Sequence, residues 1–180
     1  MAPTIVATVG SASANSFVTL SEMTAYCDAR LNASIWTEAD AQVAALVEAT
    51  RELSLLTYVG SRVTATQKLS WPRDYAPNPD APWVELIGDA LLSYFADTVI
   101  PQRVKDATCE LALQFLIAGT TDLASADANE GVIRKKVDVL ETEWESASSR
   151  ASGLSRFPRV LAMIGPMLET TGGGLTLERS

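Results

Sequence analysis

The chain has 180 residues, 47% of them hydrophobic and 20% charged, the balance of an ordinary soluble globular domain. At that length roughly 70% of the unfolded chain's surface can be buried, so neither whole-chain disorder nor a need for a disulfide or metal staple is expected. Fourteen basic against 22 acidic residues give a net charge of −8, which sets the overall field against phosphate backbones and anionic membranes, and the absence of histidine removes Ser-His-Asp and Cys-His catalysis together with the commonest metal ligand.

Residues 1–15 read as an extended arm: Ile5, Val6, Thr8 and Val9 favour strand, and the Gly10-Ser11-Ala12-Ser13-Ala14-Asn15 run is loop chemistry. Thr19 and Glu22 then form a capping box, and Met23, Tyr26, Cys27 and Arg30/Leu31 continue an amphipathic stripe to about Asn32. Thr37 and Asp40 offer a second cap, followed by Val43, Leu46, Val47, Thr50, Leu53 and Thr57 on one helix face, with Gly60 as the stop. Residues 61–82 are loop-like. Trp71-Pro72-Arg73, Pro77, Pro79 and Pro82 exclude regular helix or central strand there.

Trp83 to Phe95 reads as a short helix. Pro101 opens the next helix; Val104, Thr108, Leu111, Ala112 and Phe115 mark one face and Cys109, Leu113 and Leu116 another, so this helix is central, and Gly119 ends it. A polar linker covers 120–131. Residues 132–145 fit both a helix, through Ile133, Val137, Leu140 and Trp144, and a strand, through the alternation of Lys136-Val137-Asp138-Val139. Pro158 sits near the start of a last helix carrying Val160, Leu161, Met163, Ile164, Met167 and Leu168. Gly172, Gly173 and Gly174 make a flexible joint before Leu175-Thr176-Leu177, a short terminal strand.

Cys27 and Cys109 fall within apolar helical patterns and read as free thiols that behave as core hydrophobes. No apolar run is long enough to span a membrane, and no basic n-region with an apolar h-region opens the chain, so synthesis in the cytoplasm is expected. The alternating Glu141, Glu143 and Glu145, and Asp74 with Asp80, have nothing to force a pKa separation and read as solvated charge. The glycine triplet lacks the lysine and helix of a phosphate loop. No catalytic, metal or cofactor residue is therefore assigned. Trp71-Pro72-Arg73 reads as a core plug followed by a chain turn, with an aromatic platform beside a cation, suited to a stacked base, as the alternative.

In chain order, Ala14-Asn15-Ser16-Phe17-Val18-Thr19-Leu20, Ala25-Tyr26, residues 44–51, Leu69-Ser70-Trp71-Pro72-Arg73, residues 100–113, Leu140-Glu141-Thr142-Glu143-Trp144 and Phe157-Pro158 through Pro166-Met167-Leu168 resemble the head–tail connector or adaptor subunits of tailed phages. Many of these carry a DnaT-like single-stranded-DNA-binding label. The resemblance implies a mainly α fold, a compact helical bundle with a few short β-strands and extended N- and C-terminal arms. The chain is divided into an arm (1–15), an adaptor domain (16–170) and a tail (171–180), and within the adaptor domain the proline- and aromatic-rich residues 74–99 depart from the family pattern as an insertion. The resemblance favours strand for 132–145. It also implies a dodecameric homo-oligomeric ring in the virion neck, docked on the portal and on other neck or tail proteins, through which duplex DNA passes without specific binding. Trp71, Pro72, Arg73, Pro101 and Gly172 to Gly174 are its expected structural or interface residues. The alternative function is a single-stranded-DNA-binding replication accessory, drawing on Trp71, Arg73 and Arg134-Lys135-Lys136. An enzyme with an acid-only site ranks last.

Overall fold

The computed structural model describes residues 4–31, 33–37, 41–81, 94–119, 132–136, 141–144 and 153–169, the two segments 132–136 and 141–144 through their backbone pairing. Among them the fold is mainly α. Five α-helices, α1 (Leu20–Asp28), α2 (Ala33–Thr37), α3 (Gln42–Ser54), α4 (Gln102–Ala118) and α5 (Pro158–Ile164), accompany four short strands, β1 (Ser61–Arg62), β2 (Arg73–Asp74), β3 (Val132–Lys136) and β4 (Glu141–Trp144). The strands form two antiparallel pairs, β1 with β2 and β3 with β4.

α1 starts where its sequence says. The Thr19 hydroxyl accepts the Glu22 N–H at 3.2 Å, and Glu22 accepts the Thr19 N–H at 2.7 Å, a reciprocal pair that satisfies two of the orphan donors of the first turn. The expected stripe beyond Asp28 is instead broken by a turn, and α2 follows as a separate short helix that periodicity did not separate. Its Trp36 is buried, with the indole N–H donated to Thr24 Oγ1 at 3.1 Å, so one aromatic anchor fixes a segment too short to be stable alone. The expected Thr37/Asp40 cap corresponds to a start at Gln42, where Ala41 is the N-cap and makes no side-chain capping bond; Asp40 lies outside the described residues.

α4 is the central helix, as its two apolar faces require. Val104, Ala107, Thr108, Cys109, Glu110, Leu111, Ala112, Leu113 and Phe115 are all buried, and the helix packs on α3 and α5 and touches α1 and α2. Pro101 stands one position earlier than a first-turn proline: it is the N-cap, and its carbonyl accepts the N–H groups of Val104 and Lys105. Gly119 ends the helix at φ +67°, the left-handed cap that only glycine adopts without strain. Both cysteines are free and buried.

The segment after α3 contributes Tyr58, Leu69, Trp71 and Ala76 to this same core. Trp71, 1% exposed, meets Tyr58 and Phe95 edge to face, with ring centroids at 5.5 and 5.8 Å. Gly60, expected as a helix stop, lies instead in the turn leading into β1, since α3 already closes at Ser54. It has φ +84°, and any Cβ there would strike the backbone of Asp74, Tyr75 and Ala76. Strand is absent from the described part of the N-terminal arm. Asn15 fixes it as a loop, accepting the Val6 N–H on its side chain at 2.7 Å and donating to the Thr4 carbonyl at 2.8 Å. At the far end, the Val59 N–H donates to Met167 O and the Glu169 N–H to Thr57 O, tying residues 57–59 to residues 167–169.

Residues 132–136 and 141–144 settle as strand, the reading that the resemblance favoured over helical spacing. The expected helix over residues 83–95 (save Tyr94 and Phe95), the linker over 120–131, the joint at Gly172, Gly173 and Gly174, and the terminal strand over 175–177 lie outside the described residues.

Candidate nucleic-acid interface

A single-strand site needs an exposed aromatic face and a cation beside it. Trp71 cannot serve, because its ring is enclosed between Tyr58 and Phe95. Pro72 is buried beside it, joined through a cis peptide bond. Arg73 turns inward. Its Nε donates to Val59 O at 3.0 Å, its Nη2 to Tyr58 O at 2.8 Å and to Gly60 O, and its Nη1 to Ser70 O at 3.4 Å. The planar guanidinium thus gathers carbonyls that the tight turn at residues 58–60 leaves without ladder partners. Burial, with Arg62 alongside, lowers its pKa from the usual arginine value. Trp71-Pro72-Arg73 is a piece of architecture.

For the basic run, the backbone register of β3–β4 sets Arg134 opposite Glu143 and Lys136 opposite Glu141, and the side chains themselves lie outside the described residues.

What the same segment does present is Tyr75. It follows β2 at φ +56°, in the left-handed region that a tyrosine rarely occupies, and is 67% exposed. The Asp74 carboxylate accepts the Tyr75 N–H at 3.1 Å, and Gly60 packs against the backbone on both sides. Tyr94, 38% exposed, stands edge to face with it at 6.0 Å, held by the bridge between Pro77 and Tyr94 and by the Phe95 N–H donated to Ala76 O. Arg62, exposed and without an ion pair among the described residues, sits on β1 opposite Arg73. Sequence reasoning missed this pair. Tyr75 sits two residues beyond the motif that drew attention, and nothing in spacing brings it to Tyr94.

Other polar groups in this region are spoken for. Arg103 pairs with Asp80, fastening the proline-rich loop to the start of α4, and Lys105 pairs with Glu22 at 2.6 Å, fastening α4 to the cap of α1. No group of three or more His, Cys, Asp or Glu side chains that would hold a metal occurs among the described residues, and no described helix is long and apolar enough to cross a membrane.

Fold and surface together define a small, mainly helical domain that presents an exposed aromatic pair after β2 and an exposed arginine on the neighbouring strand β1. A family model described as "Putative DnaT-like ssDNA binding protein" matches residues 2–180, and the chain belongs to that family. No curated protein and no solved structure matches it.

The family overturns the leading functional expectation, a portal-docked connector ring through which DNA passes unbound, together with its portal, neck and tail partners. It agrees with the alternative. A net charge of −8 is a sum over the whole surface and does not describe the local field at an exposed pair of tyrosines.

Proposed function

We propose that this protein binds single-stranded DNA, with Tyr75 and Tyr94 as the platform on which bases stack and Arg62 as the phosphate contact. The exposed Tyr75–Tyr94 pair carries the reading, and family membership supports it. Stacking contributes about 1–3 kcal/mol per base and is indifferent to sequence, because every base has a π-face. An acidic protein with one or two phosphate contacts draws most of its affinity from that stacking. Duplex DNA, whose bases are already stacked on one another, gives little to such a platform. The protein acts as a binding module with no chemical step of its own, in the cytoplasm, where its two thiols stay reduced.

Fluorescence anisotropy with a labelled oligo-dT and a duplex of equal length tests this. Preference for the single strand, lost in the Tyr75→Asn/Tyr94→Ala double variant, is the expected result. Absence of binding by the wild type, or equal binding by the double variant, overturns it.

A further inference from the structure

A second cationic feature lies among the helices, apart from the Tyr75 turn in sequence and built from different elements. Glu110 of α4 is buried, its side chain 4% exposed, and Arg30, which follows α1, pairs with it at 2.6 Å. The Tyr26 hydroxyl donates to the same carboxylate oxygen at 3.0 Å, Arg30 Nη1 donates to Tyr26 Oη at 3.1 Å, and the guanidinium lies 5.3 Å from the tyrosine ring centre. Arg159 of α5 stands 3.8 Å from the other carboxylate oxygen, beyond hydrogen-bond reach, with a side chain 63% exposed. Two guanidiniums share the one buried carboxylate, with Asp28 and Asp106 as the further acidic groups nearby.

These arginines border a cleft of about 370 Å³, within the range of small-ligand sites, whose remaining wall includes Leu31, Ile35 and Leu113. Leu31 is fully exposed at the rim. Each guanidinium has five donors, and the protein uses few of those on Arg30 and holds none of those on Arg159 at hydrogen-bond distance among the described residues. A buried carboxylate thus positions an arginine whose outer edge still faces solvent beside an apolar wall.

We infer that this cleft is a second contact site for the strand, in which Arg159 and the outer edge of Arg30 hold one phosphodiester and Leu31, Ile35 and Leu113 take the adjoining sugar and base. The guanidinium N–H groups that Glu110 leaves free suit the two non-bridging oxygens of one phosphodiester. The inference rests on the single-strand reading above and adds a place to it. Glu110 and Tyr26 are positioning residues: they orient Arg30 and do not touch the strand.

The test is the salt dependence of oligo-dT binding for the wild type, Arg159→Gln and Leu31→Asp. Both changes fall on exposed side chains, and thermal melting checks that each variant folds. Each is expected to bind roughly tenfold more weakly at low salt, and for Arg159→Gln the slope of log K against log salt is expected to shrink by about 0.7, the share of one phosphate on a single strand. Wild-type affinity and slope in both variants, with binding still lost in the Tyr75→Asn/Tyr94→Ala protein, overturn this inference and leave the proposed function standing. No binding by the wild type overturns both.

Discussion

Tyr75 occupies a backbone region that costs a side-chain-bearing residue about 1–2 kcal/mol, and it does so while most of its ring faces solvent. Such a residue adds little to folding, so Tyr75→Asn, which tolerates that conformation, is expected to raise the melting temperature slightly or leave it unchanged while weakening oligo-dT binding. A fall in both would show that the ring is structural. Trp71 is the opposite case. Its burial predicts a loss of about 3–5 kcal/mol for Trp71→Ala in denaturant unfolding, and Arg73→Lys, which replaces a planar fork by a point donor, is expected to cost on the order of 2 kcal/mol. Glu22 links a residue to pH. Burial raises its pKa, but the Lys105 ammonium and the Thr19 N–H and hydroxyl outweigh that and hold it below its ordinary 4.5. Its folded pKa is therefore depressed, and the stability it supplies is present above 4.5 and lost as pH falls through the folded value. The melting temperatures of wild type and Glu22→Gln should accordingly differ near neutrality and converge in acid.

At the scale of elements, the termini of helices were the most legible features, because a cap is written in a few adjacent residues. Thr19 with Glu22 and Gly119 behave as their chemistry requires, and Thr19→Ala is expected to cost about 1 kcal/mol, measured by thermal melting. The two apolar faces of α4 likewise announced a central helix. The short pieces were not legible. α2 exists because Trp36 finds a pocket and a partner in Thr24, and β1–β2 exists because Arg73 reaches back to residues 58–60; both are tertiary facts with no local signature. The same holds for the aromatic pair, assembled from residues nineteen positions apart, 75 and 94, and for the cleft that draws on α1, α4 and α5. Glu110 ties the last three together. Glu110→Gln keeps the shape but releases Arg30, whereas Arg30→Ala leaves a buried carboxylate deprived of its nearest cation and is expected to cost about 3–5 kcal/mol in denaturant unfolding.

For the molecule as a whole, composition bounded the possibilities without choosing among them. The absence of histidine and an acidic balance spoke against common catalytic chemistry and against a broad basic groove, and both statements are about averages. On the proposed reading, contact with a strand is confined to a pair of rings and one or two guanidiniums. Salt should therefore affect this protein less than a basic binder: the slope expected for two or three phosphates is about −1.4 to −2.1. Isothermal titration across a salt series measures it, and a slope several times steeper would place the contact on a more basic surface than either site described above.

The tie between residues 57–59 and 167–169 has a consequence for how the polypeptide reaches this state. Val160, Ile164 and Met167 contribute to the same interior as Leu46 and Val104, yet they emerge from the ribosome more than a hundred residues after Leu46. Until they arrive, α4 has an apolar flank open to water, and closure over so long a separation is slow. A nascent chain halted before α5 should thus be sticky and protease-sensitive, and protection should appear abruptly once residue 169 has cleared the exit tunnel.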